Sequence, residues 1–115
     1  GILNDGSSAT TVLGNAGMPT ATLIRKKTGE KITIDKAEFR IGKERNKVDY
    51  CITGNSNISR THATIVYRNG AFAIVDNNAT NGTNVNGVAV PAGKERALTG
   101  NETIRLADEE FLFRA

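Results

Sequence analysis

The sequence predicts an all-β sandwich, and three observations carry that expectation. Apolar residues come in short runs separated by turn residues. No long stretch keeps the 3.6-residue apolar period of an amphipathic helix. Asn69-Gly70 and Asn86-Gly87 are two-residue hairpin signals, because a type I′ turn needs positive φ at both central positions.

The first twenty residues, GILNDGSSATTVLGNAGMPT, are rich in Gly, Ser, Thr and Asn, and their few apolar residues keep no period. Residues 1–20 therefore read as a flexible tail or linker, and the folded domain as 21–115, beginning near Ala21. Ten strand candidates follow in order. The first four are the runs TLIRK at 22–26, KITID at 31–35, FRIG at 39–42 and YCI at 50–52. The next two are the longest β-branched and aromatic runs, ATIVYR at 63–68 and AFAIVD at 71–76. NV at 84–85 and VAV at 88–90 flank the second Asn-Gly. TIRL at 103–106 and EFLF at 110–113 end the series.

One register can be derived. With Asn69-Gly70 as the loop, Tyr67 faces Phe72 and Ile65 faces Ile74, all four on one face of the sheet. On the other face Val66 meets Ala73 and Thr64 meets Val75. Around Asn86-Gly87, Val85 pairs with Val88. An antiparallel hairpin brings its start and its end to the same edge of the sheet. The polar segments 57–62 and 77–83 thus become neighbours, a plausible binding surface at one end of a rigid scaffold.

At 115 residues the chain is one domain with room for a real core. Apolar residues make up 38% and aromatics 5%, and Trp is absent. The formal charge of +3 is a mild basic excess, short of the dense Lys/Arg blocks of a nucleic-acid tail. It suits an acidic ligand. The single cysteine, Cys51, rules out an intrachain disulfide framework. In the apolar run DYCI it reads as a small core residue. No apolar run approaches the roughly 20 residues that span a bilayer, and no signal peptide is visible. Cytosol is the expected compartment, so the Asn-x-Ser/Thr matches at Asn57, Asn78, Asn81 and Asn101 read as coincidences of an Asn-rich composition. The chain does not begin with Met and reads as a piece of something longer.

Several chemistries compete for the polar loops. Ser59, His62 and Asp76 supply the residue types of a hydrolase triad, but no nucleophile elbow surrounds the serine. Cys51 with His62 is a second, equally weak nucleophile pair. One His and one Cys without a carboxylate cluster do not make a metal site. Gly42-Lys43-Glu44 lacks the upstream glycine and the following Ser/Thr of a P-loop. Phosphate recognition fits better. A phosphate ester carries about −1.5 to −2 charge and three acceptor oxygens. Ser59 and Thr80 offer hydroxyls, Arg60 a guanidinium and Lys43 a point charge. Charge-assisted hydrogen bonds are worth roughly 1.5–3 kcal/mol each. Micromolar binding corresponds to about 8 kcal/mol, so three such bonds need help from the ligand's backbone. Asn81 is well placed to clasp it.

The pattern FRIGK…ISRTHATI…D…ATNGTNVNG resembles that of forkhead-associated (FHA) domains, which bind phosphothreonine peptides. The resemblance runs from about Ala21 to Phe113. It implies an eleven-stranded antiparallel β-sandwich with ligand loops at one end, no enzymatic activity and no cofactor. It also implies that Ser59 and Arg60 hold the phosphate. Thr80 would give a hydroxyl to the phosphate or to the pocket for the threonine γ-methyl, and Asn81 would bond the ligand backbone. His62 would brace the two loops, and Gly42 and Gly82 would serve backbone geometry. One position departs from the family: Lys43 stands where Arg is usual. It keeps the charge but loses the planar bidentate fork, so that either affinity is lower or Arg45 shares the work.

The resemblance further implies a partner carrying phosphothreonine and a Ser/Thr kinase upstream, with neither nucleic acid nor membrane involved. A phosphate-independent scaffold of the same fold is the rival reading. Thr10 and Thr11 in the tail are candidate phosphorylation sites. Some bacterial family members fold such a threonine tail into their own pocket, and the family often reads the third residue on, here Leu13 after Thr10. Ten residues from Thr11 to Ala21 reach at most about 33–36 Å, against a domain diameter of about 34 Å.

Overall fold

The computed structural model describes residues 18–115. Thr10 and Thr11 lie outside them. Eleven strands appear among the described residues. In chain order they are β1 (Ala21–Arg25), β2 (Lys31–Ile34), β3 (Glu38–Gly42), β4 (Tyr50–Cys51), β5 (Ala63–Arg68) and β6 (Ala71–Asp76). After them come β7 (Thr83–Val85), β8 (Val88–Ala89), β9 (Glu95–Leu98), β10 (Thr103–Leu106) and β11 (Glu109–Arg114). They form two sheets, β2-β1-β11-β10-β7-β8 and β4-β3-β5-β6-β9.

The sheets face each other across one core. Alternation in β1, β2 and β3 sends Leu23, Ile32, Ile34, Phe39 and Ile41 inward, to meet Ile104, Leu106, Phe111 and Phe113. Two aromatic contacts join the sheets, Phe72 to Phe113 at 5.6 Å and Tyr50 to Phe111 at 6.4 Å between ring centres. Both hairpins adopt the derived register. Tyr67 pairs with Phe72, Val66 with Ala73, Ile65 with Ile74 and Thr64 with Val75, and Val85 pairs with Val88. The turn residues have the required left-handed backbone, with φ of 53° and 79° at Asn69 and Gly70, and 51° and 82° at Asn86 and Gly87.

Three features depart from the sequence expectation. β9 was not among the candidates, because its run Glu-Arg-Ala-Leu holds no β-branched or aromatic residue. It is a strand because β6 offers it an edge, pairing Phe72 with Leu98 and Ile74 with Arg96. β4 runs parallel to β3, pairing Ile41 with Tyr50 and Gly42 with Cys51. A single 3-10 turn, Arg45–Lys47, supplies the connection. Cys51 is half-buried at the sheet edge rather than in the core; its neighbour Ile52 takes the buried place.

Two buried carboxylates tie the structure to pH. Glu102 closes the turn between β9 and β10, accepting from Thr99 N and Oγ1, Gly100 N and Asn101 N at 2.7–3.0 Å. Burial alone would raise its pKa, but these donors hold it below the usual carboxylate range. Glu109 is gripped bidentately by Arg25 at 2.9 and 2.8 Å, and that guanidinium likewise holds it low. Both groups therefore contribute stability that is complete above the ordinary value of about 4.3 and is lost as pH falls through their folded values. Glu102→Gln is expected to cost about 1–3 kcal/mol at pH 7. In thermal melts its deficit relative to the parent should shrink as the pH drops below 4. A deficit that stays constant with pH would contradict this.

Candidate functional site

Because β5 and β6 are antiparallel, the chain enters and leaves this hairpin at one end. Ala63 pairs with Asp76, and Asn77 N donates to His62 O at 3.0 Å, extending the ladder one residue past the strands. The loop before β5 and the loop after β6 meet there. Lys43, Ser59, Arg60, Thr80 and Asn81 all line one cleft of about 420 Å³. Ser56, Asn57, Ile58, Thr61 and Asn77 complete its wall.

The loops are tied directly to each other. Thr80 N donates to Ser59 Oγ at 3.1 Å, and Asn81 Nδ2 donates to Asn57 O at 2.9 Å. With its oxygen already accepting, the Ser59 hydroxyl keeps its proton for an acceptor in the cleft. The Arg60 guanidinium is exposed, and among the described residues no carboxylate pairs with it. Lys43 Nζ leans over the cleft to Ser56 O at 3.4 Å. Two cations and no carboxylate line the space.

Beneath the cleft lies His62, fully buried. Its Nδ1 accepts from Ser59 N at 3.1 Å, so the ring proton sits on Nε2, which donates to Gly82 O at 2.7 Å. One ring thereby joins both loops through their backbones. Gly82 itself has φ of 78°, a backbone that glycine adopts without strain. Gly42 acts differently. Its backbone passes so close to Ser59 and Arg60 that no side chain fits between. Lys43 N and Glu44 N then donate to Ser59 O and Arg60 O at 3.1 Å each.

The FHA domain family model matches residues 39–107. The chain belongs to the FHA-domain family. Among solved structures it is similar to Mycobacterium tuberculosis EmbR in complex with a low-affinity phosphopeptide. That likeness has 28% identity and a TM-score of 0.76, and it covers 83% of this chain but only 24% of that one. It is also similar to a structure from an analysis of phosphothreonine-dependent FHA domain interactions, with 26% identity, a TM-score of 0.75 and coverage of 84% and 97%. A third is the FhaA FHA domain complexed with the intracellular domain of Rv3910, with 26% identity, a TM-score of 0.72 and coverage of 82% and 99%. No curated protein matches the chain.

The geometry of this FHA domain disposes of the nucleophilic readings. Both His62 nitrogens are engaged by backbone groups, so neither Ser59 Oγ nor Cys51 Sγ has an imidazole base. Asp76 is turned to structural work: its carboxylate accepts from Ala79 N at 3.2 Å and from Thr83 Oγ1 at 2.6 Å, shaping the loop after β6. The sequence reading weighed Asp76 only as a triad acid and missed this. An Asp three residues before a turn amide is a recognisable loop-capping signal. Asn57, whose carbonyl Asn81 holds, was also missed. Arg45 sits on the 3-10 turn and does not line the cleft.

Proposed function

We propose that this FHA domain binds phosphothreonine peptides on partner proteins through the cleft, as a recognition module that catalyses no reaction. The observation that carries the reading is the pairing of an uncommitted Arg60 guanidinium with the Ser59 hydroxyl in a space free of carboxylates. A dianionic ester there meets donors on three sides: Ser59 Oγ, Arg60 and Lys43, with the Thr80 hydroxyl beside them. Asn81 spends its amide NH₂ on Asn57 and keeps its oxygen to accept a ligand backbone N–H. Lys43 contributes charge without a fork, so orientation of the phosphate falls to Arg60. A threonine ester of this kind is a kinase product, so in this reading the domain acts downstream of a Ser/Thr kinase, with the cytosol as the proposed compartment. Phosphorylated Thr10, tethered at an effective concentration on the order of mM, would compete for the same cleft.

Calorimetric titration with matched peptides tests the reading. Two lost charge-assisted bonds predict at least about a hundredfold weaker binding of the unphosphorylated peptide. Equal affinities would favour a phosphate-independent scaffold instead. Phosphorylating Thr10 in the chain should weaken the outside peptide in the same titration. Arg60→Ala should lower phosphopeptide affinity at least about tenfold. Its melting temperature should not move, because an exposed, unpaired side chain contributes little to stability. Unchanged affinity would remove Arg60 from the site.

A further inference from the structure

The turn between β10 and β11, residues 107–108, lies on the sheet opposite the β5–β6 hairpin, yet it reaches both cleft loops. Ala107 N donates to Gly82 O at 3.1 Å, the same oxygen that receives His62 Nε2. On the other side, Asn55 Nδ2 donates to Asp108 Oδ1 at 2.8 Å and to Glu109 Oε2 at 3.1 Å. Glu109 cannot drift, because Arg25 holds both of its oxygens. Asn55 uses both of its oxygens inside its own loop. Its Oδ1 accepts from Asn57 N at 2.9 Å, and its carbonyl accepts from Ile58 N at 3.3 Å. Asn57 is thus clasped twice, by Asn55 at its N–H and by Asn81 at its carbonyl. Two residues later the chain is at Ser59.

A second observation marks the turn as constrained. Ala107 has φ of 56°, a left-handed conformation that costs a residue with a Cβ and persists only where its surroundings impose it. Ala107 opens the two-residue turn that joins Leu106 to Glu109, which itself demands positive φ there, and the bond to Gly82 O and the pinned Asp108 and Glu109 fix that turn from either side.

We propose that the β10–β11 turn is the common footing of the cleft, and that Asn55 is the positioning residue through which it sets Ser59 and Arg60 in their binding geometry. Asn55 does not line the cleft but borders the adjoining cavity that shares Lys43 and Ser56 with it, so its action on the phosphate runs through the loop. The benefit is preorganisation: a loop already ordered loses less freedom when the phosphate arrives. What Asp108 supplies is an acceptor for the Asn55 amide, so its geometry matters more than its charge.

The inference rests on the reading of the cleft as a phosphopeptide site, and one arm of its test is independent of that reading. In the unliganded protein, Asn55→Ala should speed amide hydrogen exchange at Asn57, Ile58 and Ser59 about tenfold or more, while β5 and β6 amides and the melting temperature stay close to the parent. Unchanged exchange at those three amides overturns the positioning role, whatever the cleft binds. In the phosphopeptide titration, Asn55→Ala and Asp108→Ala should each weaken binding about tenfold. Asn55→Asp, which sets a third carboxylate beside Asp108 and Glu109, should weaken it further. Asp108→Asn keeps an acceptor oxygen and should stay within about twofold of the parent. A loss with Asp108→Asn as large as with Asp108→Ala overturns the inference. A parent chain that shows no phosphate preference while Asn55→Ala still loosens the loop supports the footing and sinks the phosphopeptide reading alone.

Discussion

Gly42→Ala is expected to abolish measurable phosphopeptide binding and to lower the melting temperature of the domain. A methyl group at Gly42 would overlap the Arg60 carbonyl oxygen, and it would stand 2.6 Å from the Arg60 carbonyl carbon and 2.9 Å from the Ser59 oxygen. All three atoms are backbone, so no side-chain rotation relieves the clash. Either the end of β3 or the Ser59-Arg60 segment must move. The segment is the looser of the two, since Ile41 is held on both flanks by β4 and β5 and Gly42 is paired with Cys51 of β4. Moving it breaks the bonds from Lys43 N and Glu44 N and carries Ser59 and Arg60, the proposed phosphate donors, out of place. Overpacking of this kind costs about 1–3 kcal/mol, and backbone overlap belongs at the upper end. Affinity should fall more steeply than stability, because recognition depends on ångström placement. Parallel melts and titrations check this. Gly42→Ala protein that binds like the parent would show that the loop accommodates the methyl group and that the close approach has no bearing on recognition.

The contrast between Gly42 and Gly82 shows what was legible in the sequence and what was not. Both were expected to serve backbone geometry, but only the folded chain distinguishes a glycine needed for space from one needed for a positive φ. The β5–β6 hairpin was readable to the residue because its information is local: Asn69-Gly70 sets the turn type, and the alternation of Ile65, Tyr67, Phe72 and Ile74 sets the face. β9 was not readable, because Glu95–Leu98 is a strand by virtue of its neighbour rather than its composition. The parallel β3–β4 pair was hidden for the same reason, and so was Cys51's half-exposed place at that edge. The convergence of Ser59 and Thr80 on one cleft followed from antiparallel geometry. The footing beneath it did not, since Asn55 and Asp108 stand 53 residues apart and nothing in either one's surroundings announces the other. The motif carried the cleft-lining residues together with His62, Gly42 and Gly82, whereas Asn55 and Asp108 lie outside it and are joined only by a tertiary contact of high sequence separation.

His62→Ala is expected to damage stability and binding together, and more stability than any exposed substitution in the cleft. The ring is fully buried, and removing it leaves a cavity, orphans the Ser59 N–H and takes from the Gly82 carbonyl one of its two donors, Ala107 N being the other. An unsatisfied buried group costs about 1–3 kcal/mol, and large-to-small changes in a core cost about 2–5 kcal/mol. A combined loss of about 3–5 kcal/mol is a large fraction of the 5–15 kcal/mol typical of a domain. The two halves of the brace can be separated with amides. An Asn side chain can set its oxygen near the place of Nδ1, keeping the bond from Ser59 N but not the one to Gly82 O. A Gln side chain reaches the place of Nε2 and does the reverse. His62→Asn should therefore retain more phosphopeptide affinity than His62→Gln at a similar melting temperature, because Ser59 belongs to the loop that carries the proposed phosphate donors. If His62→Gln instead bound better, the loop after β6 would be the one that limits recognition. A loss of binding in His62→Ala with an unchanged melting temperature would contradict the brace altogether and return the imidazole to the ligand-facing side of the cleft.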